Sequence, residues 1–416
     1  MIEIYMMAEP KETTKLKRSL SLSMLIFYGV GTILGLGIYV LLGKIAGEAG
    51  MMAPFSFLFA ALIAAFTGLS YGELSARIPK SAGEVNYVDR AFGKQFLSAL
   101  TGWLIILSAI VSTATVVNGY VGYVHVFVQL PDYLIISGII LLLGGIAIWG
   151  ISESAVTITV ITTIEIIGIL LVIFIAGDNL AALPERWPEM VPGLNWVDWE
   201  HVMLGAFLAF FTFIGFQDMV NVAEEAKRPE RDMPRAIIIS LSILTFLYLL
   251  VSTIAGLGLT PEELDQSDAP LADVLAKEGE RYPEIISGIS LVAIINGVLV
   301  QIVMIARVLY GMAEKNLAPK LFGKVNTRTR TPIWSTIISS VVILVLALLF
   351  ELEALAEATN YILIIVFLLI NLALWRIKRR GDDPGGVRTY PIAVPIIGFV
   401  LNLAVLIFQI VNTINQ

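Results

Sequence analysis

The sequence predicts an all-α protein that crosses a membrane about eleven times, and three observations lead to this prediction. The chain of 416 residues is 57% hydrophobic and only 15% charged, with a mean hydropathy of +0.85. A soluble domain of this composition would expose far too much apolar surface. Apolar stretches of about 20 residues, the length of a membrane-spanning helix, recur along the chain. The charged residues fall mainly between these stretches.

The predicted spans follow the apolar runs in order. The first five cover roughly 20–46, 52–77, 95–128, 133–150 and 155–176. The remaining six cover roughly 201–224, 235–258, 285–312, 333–350, 355–376 and 392–413. The loops between them are too short to hold a soluble domain, so we expect one transmembrane domain over residues 1–416.

The loops alternate in charge, which predicts their orientation. One side carries basic clusters in the segments 11–18, 77–94, 227–235, 315–330 and 376–388. The loops of the other side are rich in acids, from Asp178 to Glu189, from Glu262 to Asp268, and at Glu351 and Glu353. The positive-inside rule places the basic side and the N-terminus in the cytoplasm. Eleven spans then place the C-terminus outside a multi-pass protein of the cytoplasmic membrane. The first apolar run is too long for a cleaved signal peptide, so we expect it to be retained.

The residue inventory excludes several kinds of chemistry. The chain has no cysteine, so it has no disulfide, thiolate metal site or cysteine nucleophile. Its two histidines, His125 and His201, fall near predicted helix ends without other metal ligands. The spans contain no nucleophile–base pair. We therefore expect no enzyme activity, no metal or other cofactor, and no nucleic-acid partner.

Two spans carry residues that interrupt helices. The first has four glycines between Gly29 and Gly37, and each weakens a helix by about 1 kcal/mol relative to alanine. The sixth has Gly215 followed by Gln217 and Asp218 at membrane depth. Matching breaks in two halves indicate the binding site of a transporter built from an inverted repeat. We expect a first repeat over 20–176, an inverted second repeat over 201–376, and an extra helix over 392–413.

The two breaks suit a zwitterionic ligand. A half-helix that begins near Gly37 directs free N–H groups toward a carboxylate, and one that ends between Phe211 and Ile214 directs carbonyls toward an ammonium. Gly37→Leu should then abolish binding and leave expression largely intact. Close helix packing is the alternative, because Gly31 and Gly35 form a G-x-x-x-G pair. A dinucleotide-binding loop is disfavoured, since no strand precedes these glycines.

Glu165 lies within the apolar run from Ile158 to Ala176, where an ionisable group costs about 2.5–3.5 kcal/mol on insertion scales. Three roles stay open. Glu165 can carry a proton, because burial disfavours the charged form of a carboxyl group. It can bind a cation with Thr162 or Thr163, which would give sodium coupling. It can also be a hydrogen-bonded contact between helices. A salt bridge would need Arg307, the only obvious intramembrane cation.

Four stretches resemble the amino acid permeases of the amino acid–polyamine–organocation superfamily. They are Gly35 to Tyr39 in the first span, Tyr71 to Glu84 around the second, Phe213 to Arg235 around the sixth, and Ala306 to Pro332 after the eighth. Their common order makes the match more specific than any one stretch alone. The resemblance implies a LeuT-like, five-plus-five inverted-repeat fold with broken helices 1 and 6 and alternating access.

The resemblance also implies roles for individual residues. The substrate carboxylate would contact the backbone of Thr32, Ile33, Gly35, Leu36 and Gly37. The substrate ammonium would contact carbonyls of Ile33, Phe211 and Ile214, beside Gly215 and Gln217, with Phe211 and Phe213 as pocket or gate aromatics. The charged residues at cytoplasmic ends are candidates for an inner gate or for structural ion pairs: Glu73, Arg77, Glu224, Glu225, Arg228 and Arg307.

The chain departs from the family pattern in two respects. Many members have twelve helices, whereas eleven are predicted here, which leaves dimer contacts and the oligomeric state open. Several proton-coupled relatives carry a lysine in the fifth-helix segment that lines up with Glu165, so the charge is reversed here.

We expect a secondary active transporter of amino acids, acting by symport or antiport, with a proton or alternatively sodium as the coupling ion and the lipid bilayer as its surroundings. Gln217, which is not an acid, favours neutral substrates. A polyamine or cationic amino acid permease is the alternative, with Asp218 or Glu165 meeting the extra amine. A non-transporting sensor that keeps the fold is a second alternative.

Overall fold

The computed structural model describes residues 18–35, 37–80, 83–150, 155–381 and 385–415. Within these residues the chain is almost entirely helical, and the pairing of Leu20 with Ala226 is the one β-bridge. Seven helical stretches of the described chain are long and apolar enough to cross a membrane. The number is eight if the bent pair Thr159–Ile175 and Gly177–Met190 counts as one span. The protein is therefore an all-α, multi-pass membrane protein.

The first five predicted spans fall on helices. They correspond to α1 and α2 together (Leu22–Leu34, Ile38–Ala49), α3 (Ala53–Arg77), α5 (Gln95–His125), α6 (Asp132–Trp149) and α7 (Ala155–Ile175). The short helix α4 (Gly83–Phe92) lies between α3 and α5, and α8 (Leu183–Met190) follows α7.

The remaining predicted spans also fall on helices. They correspond to α9 (Trp196–Phe211) with a 3₁₀ segment (Asp218–Glu225), and to α10 (Pro229–Gly258), α13 (Tyr282–Glu314), α14 (Ile333–Leu349), α15 (Leu352–Arg379) and α16 (Ala393–Asn415). The connection from α10 to α13 contains two short helices, α11 (Pro261–Asp265) and α12 (Pro270–Ala276).

Proline accounts for helix that the sequence pattern does not predict at the start of four helices. Helix α10 begins at Pro229, well before the predicted start at residue 235. Helices α8, α11 and α12 also carry proline in their first turn, where its fixed φ suits a helix and its missing N–H costs nothing. Thr260 and Glu263 add a capping box at the start of α11. These segments lack the long apolar run by which the spans were predicted.

The long helices pack in pairs that bring both halves of the chain together. Helix α1 lies against α7 and α10, while α9 lies against α15 and α3. Helix α5 lies against α15 and α14, while α13 lies against α7 and α6. The pairs α2 with α9, α3 with α10, α5 with α13, and α6 with α14 join the halves directly. The broken elements α1, α2 and α9 thus lie among helices of both halves.

Helix α16 is held on α3 and α15 by buried amides. Asn402 donates to Thr67 Oγ1 at 2.9 Å, and Asn371 donates to the same atom at 3.2 Å. Ser70 donates to Asn371 Oδ1 at 2.7 Å. All four side chains are fully buried, so this network joins three helices inside the apolar core.

Candidate site where two helix breaks meet

The first break lies at Gly35–Gly37, where α1 ends and α2 begins with Gly37 as its N-cap. Leu36 lies outside the described residues. The helix continues through Gly29 and Gly31, although both are glycines. A Cβ at Gly31 would overlap the Thr162 hydroxyl, and one at Gly29 would meet the side chain of Met219. Close packing therefore explains these two glycines, and only the later pair coincides with the break.

The second break follows α9, which ends at Phe211. The next residues leave the α-helical path, and Gly215 has a φ of 121°, which L side chains rarely adopt. The Gly215 N–H donates to its neighbour Gln217 at 2.9 Å. The Phe211 carbonyl accepts the Ile214 N–H at 3.0 Å, which leaves it one lone pair for another donor.

The two breaks touch each other. Thr32 Oγ1 donates to the Gly29 carbonyl at 3.1 Å and to the Gly215 carbonyl at 3.4 Å. A Cβ at Gly215 would run into the Thr32 carbonyl, beside Ile33 N. A Cβ at Gly37 would run into the Thr212 backbone. The N-terminal end of α2 and the C-terminal end of α9 are therefore neighbours, with opposite ends of two helix dipoles at one place.

The Gly37 contact corrects one expectation. We expected Gly37→Leu to fill the carboxylate site and to leave expression largely intact. Because its Cβ would overlap the backbone of Thr212, any side chain would push α2 away from α9. Gly37 therefore packs two elements whatever else it does, and substituting it would not affect ligand binding alone.

Tyrosines fix the backbone on both sides of the breaks. Tyr248 donates to the Thr212 carbonyl at 3.1 Å, and its ring lies edge-on to the buried Phe213 at 5.3 Å. Tyr39 donates to the Glu165 carbonyl at 2.8 Å, and Tyr123 donates to the Tyr39 carbonyl at 2.6 Å. Sequence reasoning missed these tyrosines. Their signal was a polar hydroxyl inside an apolar span, which needs a partner when buried. Phe211 is also fully buried.

Glu165 lies beside the first break. A Cβ at Gly35 would be 3.3 Å from Glu165 Oε1 and 3.4 Å from the Ala293 carbonyl. Glu165 is fully buried, and neither carboxyl oxygen has a hydrogen-bond donor in suitable geometry among the described residues. Asn296 of α13 is a polar neighbour. Arg307, also on α13, is exposed and makes no salt bridge with Glu165 in the described part of the chain.

Only one of the two threonines shares the face of Glu165. Thr162 is buried against Gly31, so Thr162 and Glu165 both face the first broken helix. Thr163 is exposed, and its hydroxyl donates to the Thr159 carbonyl at 2.7 Å. The structure therefore brings Thr162 and Glu165 to the break and leaves Thr163 on the opposite side of α7.

The Glu73 carboxylate is the centre of a buried ion-pair cluster. Arg77 approaches it at 2.7 Å, and Lys378 of α15 donates to its other oxygen at 2.7 Å. The backbone N–H of Tyr390, just before α16, also donates to it at 2.9 Å. Glu73 is fully buried, so this cluster is not a solvated surface pair. It joins α3, α15 and the segment that leads to α16.

The other gate candidates lie near a backbone contact between the two halves. Ser19 and Leu20 donate their N–H groups to the Glu225 carbonyl at 2.9 and 3.0 Å, and the Lys227 N–H returns a bond to the Leu20 carbonyl. Arg228 pairs with Asp232 at 3.4 Å. Glu224 is half-buried in the 3₁₀ segment. Glu225 takes part through its backbone carbonyl, whereas the sequence had singled it out for its side-chain charge.

A small cavity adjoins the second break, with room for about one water molecule (about 10 Å³). Ile214, Gln217 and Asp218 line it, together with Glu84 of α4. Burial raises the pKa of the Glu84 carboxyl to about 8; a hydrogen bond to its own backbone N–H opposes this rise, and the Asp218 charge adds to it. Sequence reasoning did not place Glu84 here, because α4 lies outside the predicted spans.

Comparison with known proteins finds a family that matches almost the whole chain. The family described as Amino acid permease matches residues 20–416. The Branched-chain amino acid permease BcaP of Bacillus subtilis (strain 168) is 30% identical over 398 residues, covering 88% of this chain and 82% of that protein. The Methylthioribose transporter of the same organism is 28% identical over 398 residues, covering 89% of this chain and 84% of that protein.

The Cationic amino acid transporter 4 of Homo sapiens is 29% identical over 406 residues. The alignment covers 91% of this chain but 63% of the human protein, so the chain spans less than two thirds of that relative's length. The names of these relatives refer to different substrates. All four motif stretches fall inside the matched region. The chain belongs to the amino acid permeases of the amino acid–polyamine–organocation superfamily, a family of membrane transporters and not of enzymes.

Proposed function

We propose that this protein is a secondary active transporter that moves amino acids across the cytoplasmic membrane by alternating access. The observation that carries the proposal is the contact between the two helix breaks, at Gly35–Gly37 and Thr212–Gln217. Each break exposes backbone groups at the end of a helix. The N-terminal end of α2 suits a carboxylate and the C-terminal end of α9 suits an ammonium, so together they suit the two charged groups of an amino acid.

The symmetry of the helix packing supports a five-plus-five repeat. We number the eleven predicted spans in order, so that each span of the first half corresponds to the span five positions later. Span 1 packs against spans 7 and 5, and correspondingly span 6 packs against spans 2 and 10. Likewise, span 3 packs against spans 10 and 9, and span 8 packs against spans 5 and 4. Exchanging the halves therefore reproduces the contacts. A repeat of five crossings begins on opposite sides of the membrane in the two halves, so the second repeat is inverted.

The charge of the loops supports the orientation. The basic loops lie at the ends that Glu73, Arg77 and Lys378 occupy, and we assign these ends, with the N-terminus, to the cytoplasm. Eleven crossings then put the end of α16 outside. The backbone contact of Leu20 with Ala226 belongs to the cytoplasmic side, where it ties the first broken helix to the segment after the second. We infer that this contact must open for release to the cytoplasm.

Glu165 is the coupling group in this proposal. A buried carboxyl without a positive partner among the described residues, beside Gly35, can take up a proton in one state of the carrier and lose it in another. Sodium bound with Thr162 is the alternative. A purely structural polar contact, with Asn296 of α13 as the partner, is the second alternative.

Uptake into proteoliposomes tests the proposal directly. Purified protein should exchange labelled amino acid for unlabelled amino acid in counterflow, and an imposed inward proton gradient should drive net uptake. A sodium gradient at constant pH should not drive it. Uptake driven by sodium alone would replace the proton with sodium as coupling ion. Binding of amino acids without counterflow would support the sensor alternative, and neither binding nor counterflow would overturn the proposal.

A further inference from the structure

The cavity beside the second break has an unusual lining. It lies between α3, α4, α5, α13 and α15 and the chain that follows α9. Two acidic side chains, Glu84 and Asp218, line it at 3% and 9% exposure. No described residue that lines it is basic. Burying carboxylates without a positive partner is costly, so the cavity favours either protonated acids or a cationic guest.

Two further polar atoms in the cavity have no partner. The Tyr71 hydroxyl and Gln301 Oε1 are buried and make no hydrogen bond within the described chain. Gln301 donates its amide to Asp218 only at 3.5 Å, the outer limit for such a bond. Ser108 and Ser112 use their hydroxyl hydrogens on carbonyls of their own helix, so they offer only lone pairs. The Tyr71 hydroxyl can accept as well as donate, and with the two carboxylates and the two serine oxygens the acceptors outnumber the donors in the cavity.

An alkylammonium group matches this lining in charge, hydrogen bonding and size. It has three donors and no acceptor. Its head is similar in size to a water molecule, and the cavity has room for about one water. A guanidinium, which is planar and carries five donors, is larger than this space.

The cavity adjoins the proposed binding site. Ile214 and Gln217 belong to the second break and also to the wall of the cavity. A substrate whose carboxylate and α-ammonium lie at the breaks could therefore extend a side chain past Ile214 into the cavity. Considered at the break alone, Gln217 favoured neutral substrates, but the fold brings Glu84 and Asp218 to the same place.

We propose that Glu84 and Asp218, with Tyr71 and Gln301, form a subsite for the side-chain ammonium of a cationic amino acid such as lysine or ornithine. The subsite rests on the proposed amino acid transport and names its substrate class. A neutral branched side chain would leave both acids without a cation. The order of preference is lysine or ornithine first, then arginine, then leucine.

Competition against uptake in proteoliposomes tests the subsite with the unmodified protein. L-lysine, L-ornithine, L-arginine, L-leucine and cadaverine are compared as unlabelled competitors. Lysine and ornithine should compete at concentrations about tenfold or more below leucine, because a hydrogen bond to a charged group is a strong one. Cadaverine, which lacks a carboxylate, should compete weakly. Leucine competing better than lysine would overturn the subsite and leave amino acid transport in place. No competition by any amino acid would overturn the transport proposal itself.

Isosteric variants then test the two acids. Asp218→Asn and Glu84→Gln should each lower the ratio of lysine to leucine affinity about tenfold or more. Glu357→Gln is the matched control, because Glu357 is a half-buried carboxyl on α15 outside the cavity, bonded to Gln409 at 3.1 Å. The ratio of lysine to leucine affinity in Glu357→Gln should equal that of the unmodified protein. If Asp218→Asn or Glu84→Gln fails to fold, the competition assay with the unmodified protein decides the question. Folded variants with an unchanged ratio would overturn the assignment of the acids.

Discussion

A carboxyl group without a positive partner is costly in an apolar interior unless it takes up a proton or binds a cation. Glu165 is such a group, and it lies against Gly35 at the break of the first helix. A shift of α2 relative to α7 would change its surroundings directly. Proton binding at Glu165 and ligand binding at the first break can therefore be coupled directly, because Gly35 adjoins both sites.

Glu165→Gln should separate coupling from transport. The amide has the shape of the protonated acid but cannot exchange a proton. Counterflow exchange should therefore persist, and net uptake driven by a pH gradient should disappear. Glu357→Gln serves as control, because that side chain lies away from the break and should keep both activities. Undiminished pH-driven uptake in Glu165→Gln would remove Glu165 from the proton path.

Gly35→Ala should weaken substrate binding without unfolding the protein. The added methyl group would sit 3.3 Å from Glu165 Oε1 and 3.4 Å from the Ala293 carbonyl, so its neighbours must yield by a few tenths of an ångström. We expect a loss of affinity of about tenfold, or about 1.4 kcal/mol. Gly288→Ala on α13 is the control, since its Cβ would meet nothing within 4 Å. Equal affinities in the two variants would argue against a ligand at the first break.

Lysine binding should strengthen as the pH rises toward 8. Burial raises the pKa of Glu84 to about 8, so below this pH the acid is largely neutral and an arriving ammonium must expel its proton. The gain should reach at most about tenfold per pH unit and should level off above pH 8. The other titratable groups facing Glu84 are Tyr71, Tyr87 and Asp218, and the described cavity residues of α5, α13 and α15 are not titratable. Competition assays from pH 6 to 8.5 measure this effect. Parallel profiles for lysine and leucine would contradict it.

At the scale of elements, buried polar clusters hold the helices at their ends. The fully buried carboxylate of Glu73, paired with Arg77 and Lys378, favours a structural fastening over an inner gate. The fastening joins α3 to α15, one helix from each half of the chain. It can still move as a unit during transport.

Glu73→Gln should lower stability far more than the loss of a surface pair. It removes the carboxylate that both Arg77 and Lys378, exposed by 5% and 10%, approach, at a cost of about 3 kcal/mol. Glu189→Gln removes the partner of Arg186 from an exposed pair and should cost less than about 1 kcal/mol. Thermal unfolding in detergent compares the two. Similar losses would mean that the cluster contributes little, and impaired transport with full stability would favour a gate.

At the scale of the whole molecule, the prediction of eleven membrane crossings can be tested by labelling single introduced cysteines. The chain itself has no cysteine that would interfere. Single cysteines at exposed Thr327, Glu280 and Asn415 probe a basic loop, an acidic loop and the end of α16. An impermeant maleimide on intact cells should label Glu280→Cys and Asn415→Cys. It should label Thr327→Cys only after permeabilisation. Labelling of Thr327→Cys together with Asn415→Cys in intact cells would contradict eleven crossings.

The sequence predicted the long helices well and their tertiary contacts poorly. The helix from Ala53 to Arg77 follows its apolar run almost residue for residue, because length and hydropathy are local properties. Periodicity could also have separated Thr162 from Thr163, since only positions three or four apart share a helix face with Glu165. No local pattern could bring Glu84 to Asp218, because that neighbourhood depends on how α4 packs against the chain after α9.

The amide network of α16 also has a consequence for biosynthesis. Asn402 reaches Thr67 across 335 residues of sequence. At about 5–20 residues per second, α3 enters the membrane about 20 to 70 s before its partner on α16 is made. Until then Thr67 lacks one of its two amide donors, and the Glu73 carboxylate lacks the Tyr390 N–H. A nascent protein stalled before α16 would therefore carry incompletely hydrogen-bonded polar side chains on α3. We expect quality-control proteases to recognise it, so its lifetime in the cell should be short.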